Sequence, residues 1–214
     1  TTEIYTLSLH DALPISDYAR YFAPDMPNTL LTDSQIFEAT AAYYNAATKL
    51  ANGNVLIAFQ SGGYGYFTII KPMGSVVVAR SSFTDAGCLA SHIAVAPLHN
   101  GGALIAFRNE SASNHAYFQI VEPEGTLYFT DGEVIETLAS TYFSAATLTD
   151  GTVAVVYSLP GSSASRNVVI DPADGSIVAG PSTYFGGSTI ASVAGLSGNQ
   201  FLLAYNNNAM SQGA

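Results

Sequence analysis

Three aromatic residues with polar ring atoms recur at one position of a repeated sequence pattern. Each lies six residues before a repeated leucine, and the three are Tyr44, His92 and Tyr142. Such rings can stack on the apolar face of a ligand while their hydroxyl or nitrogen atoms form hydrogen bonds. We call them the aromatic belt and predict that they line a central channel. Two interpretations stay open: a belt that stacks a ligand, and ring positions that only fill the core or the channel wall.

Carboxylates recur at a second position of the same pattern. Glu38, Asp85 and Glu136 precede the repeated leucines by 12, 13 and 12 residues, whereas the fourth repeat has no carboxylate there. Three carboxylates at one channel mouth suit a hard cation such as Ca²⁺, held together with carbonyl oxygens. They also suit acid/base work, because crowding raises the pKa of one of them. The third interpretation is that they are solvated turn residues.

Four segments of the chain share a period of about 48 residues. The aligned leucines are spaced by 48, 50 and 48 residues and are Leu50, Leu98, Leu148 and Leu196. Short turns follow three of them, at Asn52-Gly53, Asn100-Gly101 and Asp150-Gly151. Asn-Gly and Asp-Gly are strong hairpin signals because both residues tolerate positive φ. A second anchor repeats in "KPMG", "EPEG" and "DPADG", and Pro24 lies 48 residues before Pro72.

Each period predicts four antiparallel strands. The first strand is rich in Ala, Ser and Thr, and the second is apolar on both faces, as in "NVLIAF", "ALIAF", "VAVVY" and "FLLAY". The third is "YFTII", "YFQIV" or "NVVI", and the fourth is "SVVVAR", "TLYFT" or "SIVAG". The polar segments 109–115 and 159–167 are predicted to be hairpin tips rather than sites. A second strand that is apolar on both faces should be covered on both sides.

This periodicity predicts an all-β fold, a β-propeller of four-stranded antiparallel blades. Small residues suit the innermost strand of a propeller, which is crowded. The alternatives are a β-sandwich and a β-solenoid, but these folds give less reason for a repeat of this length. The predicted units are a half blade at 17–38, blades at 39–85, 86–136 and 137–186, and a half blade at 187–214. These sixteen strands would either close a four-bladed ring or belong to a larger ring.

Residues 1–16 differ in origin from the repeats. Their sequence resembles the translation of one reading frame of a sequencing adapter, so we expect the native chain to begin near Asp17, as in a fragment assembled from metagenomic reads. Without Glu3 and Asp11 the formal net charge changes from −10 to −8. An acidic chain repels phosphate backbones, so we expect no nucleic-acid partner. No apolar run approaches the length of a membrane span.

The repeats resemble the propeller repeats of secreted and cell-surface bacterial proteins, through the Leu-x-(Asn/Asp)-Gly turn, the apolar strand and the x-Pro-x-Gly turn. The resemblance implies an extracellular or cell-surface location and a non-catalytic module that binds a glycan or protein through its loops. The alternative is part of a propeller-type glycan-active enzyme, sialidase-like or another glycoside hydrolase or lyase, in which Glu38, Asp85 and Glu136 would belong to the catalytic site. Further blades or domains are expected outside this sequence.

The other residues that could take part in chemistry form no recognisable catalytic motif. No His or Cys spacing typical of a zinc site occurs, and no nucleophile elbow or Ser/His/Asp order is present. We therefore assign no catalytic residue and expect no cofactor apart from the Ca²⁺ considered above. Cys88 is the chain's single cysteine, so it forms no intrachain disulfide, and we predict a buried, inert thiol.

Overall fold

The computed structural model describes residues 17–19, 35–38, 40–72, 74–160, 164–186 and 188–207. The described residues form sixteen β-strands and no helix, as the repeat predicts. They therefore contain no helix long and apolar enough to cross a membrane. The chain is all-β, with four-stranded antiparallel blades of the β-propeller type. Residues 1–16, which resemble the adapter, lie outside the described residues.

Three complete blades lie between two strand pairs. The first pair is β1 Asp17–Ala19 and β2 Gln35–Glu38. The first blade is β3 Tyr43–Lys49, β4 Val55–Ser61, β5 Tyr64–Ile70 and β6 Val76–Ser82. The second is β7 Ala90–Pro97, β8 Ala103–Asn109, β9 His115–Val121 and β10 Glu133–Glu136. The third is β11 Thr141–Thr147, β12 Val153–Leu159, β13 Ala164–Ile170 and β14 Ile177–Gly186. The last pair is β15 Ser188–Gly195 and β16 Phe201–Asn207.

One predicted strand is wrong. The fourth strand of the second blade, expected at "TLYFT" (126–130), forms instead at β10. The cause is the buried side chain of Gln119, which hydrogen-bonds the backbone of Phe129 in place of a strand ladder: Oε1 accepts from its N–H at 3.1 Å and Nε2 donates to its carbonyl at 2.8 Å. Regular pairing resumes at Glu133, which lies opposite Phe118.

The core lies between neighbouring blades, because each second strand is covered on both faces. All seven residues of β12 are buried, and the apolar residues of β8 are buried as well. One buried cluster joins the first and second blades, another joins the second and third, and a third joins β11 and β12 to the last pair. The first strands β3, β7, β11 and β15 contact one another in sequence, so they are the innermost strands.

Each blade has two edges, which we name by the features that lie there. At the turn edge the first strands end, and tight turns follow at Asn52-Gly53, Asn100-Gly101 and Asp150-Gly151. The three glycines have φ of 86°, 96° and 95°. At the belt edge the first and third strands begin and the second and fourth end, as the pairing of Tyr43 with Gln60 and of Ser61 with Tyr64 shows. The aromatic belt therefore lies at the belt edge.

Candidate functional site

The three rings of the aromatic belt contact one another in a row across three blades. The rings of Tyr44 and His92 are stacked, with centroids 4.9 Å apart and planes 26° from parallel. His92 meets Tyr142 edge to face, with centroids 5.6 Å apart and an angle of 84°. Tyr44 and Tyr142 are 44% and 49% exposed, and His92 is half-buried. The structure thus brings together all three belt residues predicted from the sequence.

The backbone at the belt is strained in the same way in each blade. Tyr44, His92 and Tyr142 have φ of 52°, 50° and 53°, a conformation that costs a bulky residue about 1–3 kcal/mol. The pairing of each first strand with its second strand shifts register next to these residues, as in a β-bulge. Bulges re-aim side chains and are frequent beside functional sites. Strain of this kind, repeated three times on rings that are exposed or half-buried, favours a functional interpretation.

His92 is linked to a polar network that the sequence analysis missed. Its Nδ1 lies 3.3 Å from Ser91 Oγ, and Ser91 Oγ donates to Glu110 Oε1 at 2.7 Å. Arg108 donates from Nε to Ser91 Oγ at 3.0 Å and from Nη2 to the same Glu110 oxygen at 2.5 Å. Glu110 belongs to a segment predicted to be only a hairpin tip. The available signal was Arg108, a cation two residues from Glu110 at the end of an otherwise apolar strand.

The charges in this network affect how His92 ionises. Burial and the Arg108 guanidinium lower the pKa of His92, and the Glu110 carboxylate opposes them only in part. The hydrogen bonds from Arg108 and Ser91 lower the pKa of Glu110. At neutral pH the imidazole of His92 is therefore uncharged, and Glu110 is a carboxylate.

Glu136 lies in a second network, between the second and third blades. It is 7% exposed and forms an ion pair with Arg166 of β13. Its Oε1 accepts from the backbone N–H groups of Thr137 and Leu138 at 2.9 and 3.2 Å. Its Oε2 also accepts from the Tyr157 hydroxyl at 3.5 Å. Through these four donors Glu136 links β10 to the next blade.

The other two predicted carboxylates have different surroundings. Asp85 is exposed, in the segment between β6 and β7. Glu38 ends β2, and its side chain lies outside the described residues. Within the described part of the chain, no three His, Cys, Asp or Glu side chains are placed to hold a metal ion together. The shared carboxylate site therefore stays a prediction.

A groove beside the belt adds three more tyrosines. It has a volume of about 440 Å³ and is lined by Tyr43, Tyr64, Tyr66 and Arg80, among others. The Arg80 guanidinium lies 3.8 Å from the centroid of the Tyr66 ring, a cation–π contact. Tyr43 directly precedes Tyr44 in β3, so the groove adjoins the belt at the same edge of the first blade.

Cys88 matches the prediction of a buried free thiol. Burial raises its pKa to about 12, and the negative charges of Asp85 and Asp131 add to the effect. A thiol with such a pKa stays protonated and is a poor nucleophile at neutral pH.

The comparisons with known proteins show the fold. No family model and no curated protein matches the sequence. A mutant of NanB sialidase from Streptococcus pneumoniae superposes with a TM-score of 0.53 and 16% identity, over 75% of this chain and 27% of that chain. A protein of unknown function from Dyadobacter fermentans gives 0.62 and 15%, over 87% and 58%. A PL25 ulvan lyase, solved with a bound saccharide, gives 0.51 and 12%, over 81% and 52%.

These neighbours are propeller-type proteins, and at such identities the likeness concerns the fold alone. The chain spans 27% of the sialidase and between half and two thirds of the other two chains.

Proposed function

We propose that this chain is a glycan-binding module of a secreted or cell-surface β-propeller protein and that the aromatic belt is its binding site. The observation that carries the proposal is the row of three contacting rings, two exposed and one half-buried, on backbone strained identically in three blades. Strain that is repeated at exposed positions costs stability without filling the core, which is reasonable where the ring orientation serves binding.

A saccharide fits the chemistry of this edge. Sugar rings have an apolar C–H face that packs on aromatic rings and a rim of hydroxyl groups that requires hydrogen-bond partners. The belt supplies rings with polar atoms, and the neighbouring groove supplies Tyr43, Tyr64 and Tyr66. Two of the similar structures, the sialidase and the ulvan lyase, are glycan-active proteins, which agrees with this ligand class.

Binding is favoured over catalysis by the surroundings of Glu136. A general acid needs a carboxyl group that can exchange its proton with substrate. Glu136 instead accepts from Arg166, Tyr157 and two backbone N–H groups, which occupy both of its oxygens. A glycan-active enzyme remains the alternative, and hydrolysis or lyase assays on bound oligosaccharides test it. Turnover that is lost in Glu136→Gln at unchanged affinity would favour the enzyme.

The direct test is oligosaccharide binding by the full chain and two matched tyrosine variants. Calorimetry against a panel of neutral and uronate-containing oligosaccharides would first identify a ligand. We expect Tyr142→Ala to weaken its binding about tenfold, a loss within the range of one stacked aromatic ring. Tyr128→Ala is the control, because Tyr128 is 47% exposed but lies beyond the end of β9 at the turn edge. Equal affinities of Tyr142→Ala and the unmodified chain would refute the proposal.

A further inference from the structure

We propose that the belt binds an uncharged sugar and that Nε2 of His92 accepts a hydrogen bond from one of its hydroxyl groups. Ser91, Arg108 and Glu110 act as positioning residues, because they fix which nitrogen of His92 carries the proton. This inference rests on the proposed glycan-binding function and specifies its ligand class.

The hydrogen bonds of Ser91 determine the tautomer of His92. A serine hydroxyl has one proton to donate and two lone pairs that accept. Glu110 is a carboxylate and can only accept, so the Ser91 proton points to its Oε1. Arg108 Nε can only donate and uses one lone pair of Ser91 Oγ. The remaining contact, from His92 Nδ1, must therefore also donate. In the neutral ring Nδ1 carries the proton, and Nε2 is left as an acceptor.

Nε2 of His92 has no hydrogen-bond partner among the described residues. The ring is half-buried and held between Tyr44 and Tyr142, so its orientation is restricted by contacts on two sides. Buried polar atoms normally have partners, and a hydroxyl group of a ligand stacked on the belt would supply one. Because the lowered pKa keeps the ring neutral, Nε2 offers a lone pair rather than a proton.

The charges at the belt edge favour an uncharged sugar. Arg108 is paired with Glu110 and Arg166 with Glu136, so these two positive charges are already compensated. A third, Arg80, lies over the Tyr66 ring in the adjoining groove. A carboxylate or sulfate group placed at the belt would meet the lone pair of Nε2. It would also meet the field of a chain whose formal net charge is −10. A hydroxyl group is uncharged and can donate a proton to Nε2, so neither repulsion applies to it.

The tautomer can be measured without any ligand. Long-range ¹H–¹⁵N correlation spectra of the ¹⁵N-labelled chain at pH 7.5 separate protonated from unprotonated ring nitrogens, and His92→Gln identifies the His92 signals. We expect a protonated Nδ1 and an unprotonated Nε2. In Ser91→Ala, Nδ1 loses its partner, so the Nε2–H tautomer should gain population. A protonated Nε2 in the unmodified chain would overturn the inference whatever the chain binds.

Binding then tests the ligand class. Neutral and uronate-containing oligosaccharides of equal length are titrated into the unmodified chain, His92→Phe and His92→Gln. We expect the neutral series to bind more tightly and His92→Phe, which keeps a ring but has no acceptor, to lose about tenfold in affinity. His92→Gln, which keeps an acceptor, should lose less.

The outcomes separate the two proposals. Tighter binding of the uronate series overturns the uncharged ligand but leaves glycan binding standing. An unchanged affinity in His92→Phe, with a loss in Tyr142→Ala, overturns the role of Nε2 alone. Failure of both oligosaccharide series to bind overturns this inference together with the proposed function.

Discussion

The two edges of the blades use the same unusual backbone conformation with opposite residue types. At the turn edge Gly53, Gly101 and Gly151 have positive φ, which glycine adopts without steric cost. At the belt edge the positive φ falls on a tyrosine, a histidine and a tyrosine, where it is costly. The turn edge thus has the residues that the backbone prefers. The belt edge has residues that the backbone disfavours, which is the expected mark of a site that serves binding.

The polar groups also differ between the turn edge and the belt edge. At the turn edge each blade repeats one hydrogen bond: the side chain of Asn52, Asn100 or Asp150 accepts from the backbone N–H two residues later. At the belt edge the second blade has the Ser91 network, and the junction with the third has the Glu136 network. The turn hydrogen bonds thus repeat from blade to blade, whereas each of the two networks at the belt edge is particular to one blade or one junction.

The largest expected effect tests whether the belt edge also carries stability. Glu136→Ala removes a buried carboxylate and its ion pair with Arg166. We expect a loss of about 3 kcal/mol in the free energy of unfolding, at the low end for buried pairs because Arg166 is partly exposed. Urea unfolding measures it, with Glu124→Ala, an exposed carboxylate at the turn edge, as the control. Equal urea midpoints for the two variants would contradict the structural role of Glu136.

A smaller effect tests the backbone contrast itself. A Cβ at Gly53 would meet no atom within 4 Å, so Gly53→Ala should cost about 1 kcal/mol through its φ alone. At Tyr142 a glycine should likewise be more stable than an alanine, although the native residue is a tyrosine. We expect the free energy of unfolding of Tyr142→Gly to exceed that of Tyr142→Ala by about 1 kcal/mol, because both variants lose the ring and only glycine relieves the strain.

Tyr43 provides the control for this comparison of glycine and alanine variants. It is the neighbouring exposed tyrosine of the first blade, and its φ is not positive. There the glycine variant should be the less stable of the pair, as is usual within a strand. If Tyr142→Gly unfolds at lower urea concentration than Tyr142→Ala, the assignment of strain to the belt is wrong.

The smallest expected effect is a pH dependence that belongs to the belt. Because the folded-state pKa of His92 lies below that of the unfolded chain, the unfolded state binds more protons as the pH falls. The contribution of a neutral His92 is fully present above about pH 6.5 and is lost as the pH falls through its folded pKa. Between pH 7.5 and 5.5, thermal melts of the unmodified chain should therefore lose more stability than those of His92→Phe. Parallel losses would show that His92 does not contribute.

The sequence predicted the strands well because their signals are local. The paired turn residues and the doubly apolar second strands place β4, β8, β12 and β16 close to their predicted positions. The strand expected at 126–130 does not form, because the buried side chain of Gln119 takes the place of backbone pairing there. The periodicity of the sequence does not indicate that a side chain will replace the strand hydrogen bonds.

The site was predictable only in its outline. The spacing of Tyr44, His92 and Tyr142 from the repeated leucines identified the belt, since equivalent positions of neighbouring blades lie side by side. Their shared positive φ and ring contacts depend on bulges that leave no mark in composition. The link from His92 to Glu110 crosses from one strand to the loop after the next, a contact that exists only once the strands pair.

Neighbouring blades are also joined by hydrogen bonds that span one repeat along the chain. Ser144 Oγ accepts from the N–H of Val193, and Thr149 Oγ1 donates to Asn199 Oδ1, at separations of 49 and 50 residues. Such contacts join corresponding regions of consecutive repeats, so a duplicated repeat would face its neighbours through the same regions of its surface. A protein of this kind can lengthen by whole repeats, and one copy is then free to diverge in its aromatic belt residue while the others keep theirs.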